Sequence, residues 1–246
     1  MSAARPAGAR ARRASGARQR APGLVESQVS DPRLVEERRG QIVRAAVKRF
    51  AEHGYYTTTI QQIAREAGIS TGLVYQYVRD KDDLLLLALQ LVLDTYEHEI
   101  PERMAGIASP IGRLCTALRT YCEIVDRLRD ATVLTYRSTK SLREDRRALI
   151  MEGETRTNRI IEACIDDCIA AGEMREVNKQ LHAYLVVMFC HTWALKHWAL
   201  AKRYSLARYV REGTALLIEP FVTARGRDGY AAALQVRAHS SAASQA

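Results

Sequence analysis

Between Ile60 and Val78, two short helical stretches are separated only by Gly68-Ile69-Ser70. This spacing limits the fold more than any other feature of the chain. Ile63, Ala64, Ala67, Ile69 and Val74 recur at helical intervals, so the two stretches bury their apolar faces against each other. Ala64 and Gly68 are small where the helices must cross. Gly68 is placed for a positive φ, and Ser70 to cap a helix over Thr71–Val78. An earlier helix carries Ile42, Ala45, Ala46 and Phe50 on one face and ends at Gly54. Together these predict a helix-turn-helix, in which the second helix of the pair enters the DNA major groove and the first crosses the backbone.

The exposed face of the second helix suits that task. Thr71, Leu73, Tyr75 and Gln76 are the candidates to reach base edges. A Gln can take a bidentate adenine contact, and Leu or Thr methyls can meet a thymine methyl. Tyr77, Lys81 and the hydroxyl of Thr59 suit phosphates. The helix that starts after Thr59 offers free N–H groups to an anion, and Gln61 lies on its first turn. Spacing alone leaves a purely structural helix pair open, because short helices around a glycine are common in all-helical proteins.

The stretch IVRAAVKRFAEHGYYTTTIQQIAREAGISTGLVYQYVRDKDDLL resembles the DNA-binding head of the TetR (tetracycline-repressor-like) family. The matching residues include Ile42, Ala46, Phe50, Gly54, Thr58, Thr59, Ile63, Ala64, Ala67 and Gly68. They continue through Ser70, Gly72, Tyr75, Tyr77, Lys81, Leu84 and Leu85. Val78 stands where many members carry Phe, and Asp82 where many carry Glu; both keep the chemical type. The resemblance implies a homodimer with one head on each half of a near-palindromic double-stranded DNA operator, and a small-molecule effector that moves the heads apart. It puts Thr59, Gln61, Thr71, Gly72, Leu73, Tyr75 and Gln76 near DNA, and Tyr77 and Lys81 on phosphates. Repression is the family's usual mode, and nothing in the residues separates it from activation.

Beyond the head the pattern stays helical, and the fold class expected is all-α: a three-helix head followed by a larger ligand-binding and dimerisation domain. A fourth helix is expected over Asp83–Ile100, with Pro101, Gly106 and Pro110 marking a break. Further helices are expected at about 111–129, 131–139, 143–171, 178–202 and 205–223. The last two present apolar faces for a four-helix dimer interface: Leu181, Tyr184, Leu185, Met188, Trp193 and Leu195 on one, Tyr209, Leu216, Leu217 and Phe221 on the other. The domains read as a flexible basic tail at 1–30, the head at 31–82, the helical domain at 83–224 and a flexible C-terminal tail at 225–246.

The net charge of +9 suggests an anionic partner. It is unevenly placed: residues 1–30 hold six Arg against the single acid Glu26. That segment is too poor in large apolar side chains to offset its ordering entropy. It is Arg-rich and acid-poor like a transit peptide, yet lacks an amphipathic period. Five Cys, an odd number, without a secretory signal point to free thiols in a reducing, cytoplasmic setting. No apolar run reaches the ~20 residues of a membrane span.

Thr135–Leu142 interrupts the helical pattern with hydroxyls and two cations, Arg137 and Lys140. It faintly resembles family members that respond to acyl-CoA thioesters; a solvated helix end is the plainer reading. Tyr136, Arg137, Lys140, Phe189 and Trp193 are the candidate effector contacts. Cys164 and Cys168, or Cys190 with His191 and His197, could in principle hold a metal, but no second ligand pair accompanies them. No phosphate loop, Ser-His-Asp order or carboxylate pair is visible. No catalytic residue, metal or cofactor is therefore expected.

Overall fold

The computed structural model describes residues 25–235. Eleven α-helices follow one another: α1 (Pro32–His53), α2 (Ile60–Glu66), α3 (Thr71–Tyr75), α4 (Lys81–Met104), α5 (Pro110–Arg127), α6 (Arg129–Ser138), α7 (Glu144–Ala170), α8 (Lys179–Leu195), α9 (His197–Leu200), α10 (Leu206–Leu217) and α11 (Arg227–Gln235). Among the described residues the only β-type pairing is an isolated bridge between Met174 and Val222.

Local chemistry sets these boundaries. Asp31 caps α1 and Pro32 opens it. Gly68 has φ +68°, the left-handed turn expected between α2 and α3, and the Leu73 N–H donates to the Ser70 hydroxyl at 3.1 Å. Asp80 caps α4 through the Asp83 N–H at 2.7 Å. Helix α4 thus begins at Lys81, two residues earlier than the sequence suggests, and runs past Pro101. The missing N–H of Pro101 costs one hydrogen bond close to the helix end, where the cost is easiest to bear.

Two apolar clusters form. One gathers α1–α3 around Ile42, Phe50, Ile63 and Val74 and takes in Leu84–Leu86 of α4. The other joins α5, α7, α8 and α10 and takes in Tyr96 and Ile100 of α4. Helix α4 therefore belongs to both, with ten of its residues buried.

Several expectations need correction. The second recognition-motif helix ends at Tyr75, and Gln76–Val78 form a turn. The helix expected over 178–202 breaks at Lys196, whose φ and ψ of −119° and 22° are not helical. The tail expected from 225 onward is helical over 227–235, where Tyr230 and Ala233 are buried. Their apolar side chains join the larger cluster, and the Tyr230 hydroxyl donates to Glu219 at 3.2 Å. The tail expected at 1–30 includes Val25–Ser30, which packs on the head, with Val25 only 3% exposed. The remainder of both tails, 1–24 and 236–246, lies outside the described residues.

Candidate DNA interface and effector cavity

The interface is assembled from the turn chemistry of the head. Thr59 caps α2 in a reciprocal capping box. The Gln62 N–H donates to its hydroxyl at 3.2 Å, and its own N–H donates to Gln62 Oε1 at 2.9 Å. Gln61, Gly72, Tyr75 and Gln76 are exposed, and Thr71 and Leu73 are half-buried. A Cβ added at Gly72 would meet nothing within 4 Å, so the first turn of α3 is open to close approach. These six residues and Thr59 share the surface formed by the start of α2 and by α3.

The two residues assigned to phosphates are placed differently from expectation. Tyr77 is 3% exposed, because its ring fills the head core, leaving little of it for DNA. Lys81 turns inward: its ammonium donates to the carbonyls of Tyr55 at 2.8 Å, Thr58 at 3.0 Å and Tyr56 at 3.2 Å. It also lies 4.6 Å from the centre of the Tyr55 ring, a cation–π contact. Lys81 therefore fixes the turn that leads into the Thr59 cap. Sequence reasoning missed Arg39, whose guanidinium donates to the Tyr77 carbonyl at 2.9 Å and to the Val25 carbonyl at 2.6 Å. It lies on the head-facing side of α1, three residues before Ile42, which was its only signal.

In the larger domain a cavity of about 370 Å³ opens among α4, α5, α6, α7 and α8. Its floor is buried: Tyr96, Tyr121, Thr132 and Thr157 are each at most 1% exposed. The rim is exposed and carries Tyr136, Lys140, Tyr184 and Met188, with Glu154 among the polar lining. His191 sits on the wall between them. Tyr121 and Tyr96 hydroxyls face its Nε2 at 3.1 and 3.4 Å, and the Tyr136 hydroxyl faces Nδ1 at 2.7 Å. Burial pushes the imidazole down to about 4, so the ring is neutral and offers one donor and one acceptor to three hydroxyls. Burial likewise raises the Tyr136 phenol to about 12.

Of the five predicted effector contacts, Tyr136 and Lys140 line this cavity. Arg137, Phe189 and Trp193 do not. Arg137 borders a separate cleft beside Tyr55 and Tyr56. Phe189 faces α10, stacked on Tyr209 with ring centres 4.3 Å apart. Trp193 is 3% exposed and donates from its indole to Asp126 at 2.8 Å. Helical periodicity places Phe189 and Trp193 four residues apart on the core side of α8, whereas Tyr184, Met188 and His191 share the cavity side. The same side of α8 carries Leu181, Tyr184, Leu185 and Met188, all at least 42% exposed and spaced as one apolar stripe. Trp193 is absent from that stripe, contrary to expectation.

All five cysteines are free and buried. Burial pushes Cys164 up to about 11 and Cys115 to about 12, so these thiols stay protonated and unreactive. Among the described residues no cluster of three or more His, Cys, Asp or Glu could hold a metal ion, and no helix is long and apolar enough to cross a membrane.

An exposed recognition helix on a three-helix head, joined through one shared helix to an all-helical domain with its own cavity, defines a helix-turn-helix transcriptional regulator. More narrowly, the chain belongs to the TetR family. Residues 42–88 match the family model described as bacterial regulatory proteins, tetR family, and residues 108–198 match that of the tetracyclin repressor-like C-terminal domain. The HTH-type transcriptional regulator HbdR of Aromatoleum sp. (strain CIB) is 62% identical over 207 residues, 84% of this chain and 90% of that protein. The fatty acid metabolism regulator protein of Bacillus subtilis (strain 168) is 23% identical over 136 residues, 55% of this chain and 70% of that one. The crystal structure of AibR in complex with isovaleryl coenzyme A and operator DNA shares the fold, with a TM-score of 0.65 at 20% identity over 75% of this chain and 100% of that one.

Proposed function

We propose that the chain acts in the cytoplasm as a homodimeric repressor, without catalysis or cofactor. It holds a near-palindromic operator and releases it when a small amphipathic acid, such as an acyl thioester of coenzyme A, fills the cavity. The graded lining of the cavity carries this reading: a buried aromatic and hydroxyl floor beneath a rim bearing Lys140. A volume of about 370 Å³ suits a compact acyl group, with a bulky polar carrier left outside beside the cation. The ligand named in the AibR complex has that shape of chemistry, a short acyl chain on a large anionic carrier. The apolar stripe on α8 supplies the self-complementary face a two-fold dimer needs, and it would space two α3 helices roughly 34–36 Å apart, one DNA turn. In this reading Thr59, Gln61, Thr71, Gly72, Leu73, Tyr75 and Gln76 touch DNA, and Lys81 supports them by shaping the turn.

The test begins with an operator selected from a random DNA pool by the purified protein. Operator affinity and thermal midpoint are then measured against coenzyme A thioesters of increasing acyl size and against the free acids. One thioester class is expected to raise the midpoint and weaken operator binding, and the operator must weaken thioester binding by the same factor. Equal thioester affinity for free and DNA-bound protein would remove the release mechanism. Tyr136→Phe and Lys140→Ala should blunt the response and leave operator affinity unchanged.

A further inference from the structure

The wall between the effector cavity and the outer face of α8 is one side chain thick. Met188 lines the cavity, where the Tyr136 hydroxyl lies 3.4 Å from its sulfur, yet it is exposed on its other side. Tyr184, one turn earlier, also lines the cavity and is 53% exposed. Both belong to the apolar stripe that continues through Leu181 and Leu185, which do not line the cavity. Mouth and stripe therefore share two side chains.

The two edges of the mouth differ in chemistry. From Leu181 to Leu195, α8 carries no Asp, Glu, Lys or Arg, although four large side chains in that span are exposed. The edge facing it carries Lys140 and Glu154, charged and exposed. A contiguous exposed apolar face of this kind marks an interface. In a two-fold dimer the stripe of one protomer meets the same stripe of the other.

We propose that the partner subunit completes the effector cavity. A second copy of this chain packs over Tyr184 and Met188 and backs the α8 side of the mouth. The charged side, at Lys140 and Glu154, stays open for a polar carrier. This inference rests on the homodimer and effector reading above, and adds that a lone protomer offers the effector an unfinished wall. Binding and dimerisation are then linked: the dimer binds effector more tightly than the monomer, and effector tightens the dimer by the same factor.

The experiment has two readings, of which the first needs no effector. Asn158 is half-buried and lines the cavity from α7. Asn158→Cys sets one thiol inside the mouth, whereas the five native thiols are buried. Labelling of that thiol by fluorescein maleimide is timed in the dimer and after adding Leu181→Glu/Leu185→Glu, a pair expected to yield monomer by sedimentation. It should be roughly tenfold faster in the monomer. Equal rates would overturn the proposal. Labelling of the native thiols would reveal that the double variant has unfolded. The comparison is then made by diluting the Asn158→Cys chain through its own dimer dissociation.

In the second reading, acetyl, butyryl and octanoyl coenzyme A are titrated into the parent dimer and into the Leu181→Glu/Leu185→Glu monomer. Dimer dissociation of the parent is measured with and without each. Affinity should be roughly tenfold weaker for the monomer, and dimer dissociation should fall by the same factor. Equal affinity for monomer and dimer would overturn the proposal. If no thioester binds either form, the thioester reading of the effector fails, and the labelling rates alone decide whether the partner covers the mouth.

Discussion

Arg146, near the start of α7, forms an ion pair with Asp83, in the first turn of α4, and both side chains are sealed from solvent at 4% and 0% exposure. Asp83 also accepts from the Arg79 N–H at 2.8 Å. Burial works against the charged carboxylate, but the hydrogen bonds from Arg79 and the attraction of Arg146 outweigh it and hold the group below its usual range. Asp83 lies just past the recognition turn, and α7 follows the short 3-10 turn Thr139–Ser141, whose Thr139 and Lys140 line the cavity. The pair thus bridges cavity and head.

Arg146→Met should cost about 2–4 kcal/mol, because Asp83 keeps only part of its compensation from Arg79. Urea unfolding would measure it. The double variant Arg146→Met/Asp83→Asn should recover part of that loss, since it removes the uncompensated charge along with its partner. In the proposed scheme, both forms should retain operator binding more stubbornly in the presence of effector. A single variant as stable as the parent would show that the pair is energetically idle.

Gln76→Ala and Lys81→Ala should fail in different ways. Loss of the exposed Gln76 amide should change which bases are preferred at one or two operator positions, by about 1–3 kcal/mol of discrimination. Loss of the Lys81 ammonium strips three carbonyls of a charged donor, so the head should lose about 1–2 kcal/mol of stability. Affinity for all sequences should then fall about equally. Selection from randomised operators, run beside thermal melts, separates the two. A changed base preference for Lys81→Ala at unaltered stability would contradict the inward placement of this side chain.

His191 gives the protein an acid-side weakness. Its folded value of about 4 lies below the ordinary 6.5, so between those values the unfolded chain binds a proton that the native state refuses. Stability is unaffected by this group above pH 6.5, falls as pH drops toward 4, and levels off below. The whole shift corresponds to roughly 3 kcal/mol. Because the ring borders a cavity that admits water, about 1–2 kcal/mol is the expected loss. Denaturant melts of the parent and His191→Gln at pH 7 and 4.5 test this: the parent should lose more.

Gly213→Ala should disrupt the packing of α10 on α8. An added Cβ would run into the Phe189 ring, which is itself stacked on Tyr209 and cannot retreat cheaply. Overpacking of this kind costs about 1–3 kcal/mol. Calorimetry should show the lower midpoint, and sedimentation a weaker dimer if α10 shifts with it.

The head was legible because its structure is local. Gly54, Gly68 and Ser70 declare where helices stop and start, and Ile63, Ala64 and Val74 declare which face is inward. What failed depended on contacts across the chain. Lys81 looks like a free surface cation until the carbonyls of Tyr55, Tyr56 and Thr58, some 25 residues away, are folded around it. Tyr230 lies in a stretch of Gly and Ala that reads as a tail, and only the exposed flank of α5 makes its burial worthwhile. In the larger domain, a string of aromatic residues does not reveal which side of α8 faces a cavity, so Phe189 and Trp193 lie away from the cavity while His191, which lines it, carried no signal. Tyr96 and Tyr121 gave no sign of their shared partner because 25 residues separate them from each other and 70 separate the nearer from His191.

The sharing of α4 between both apolar clusters bears on how such a regulator can be re-engineered or diversify. A head cut at the boundary near residue 82 would leave behind Leu84, Leu85, Leu86 and Leu89, all fully buried and all part of the head's own cluster. The exchangeable unit is therefore longer than the recognition motif. Chimeras that graft a new operator specificity onto this cavity should be joined beyond Leu93, in the middle of a helix, so that the buried α4 leucines stay with the head, and must still match Leu134, Leu142 and Ile150, which complete its cluster from the larger domain.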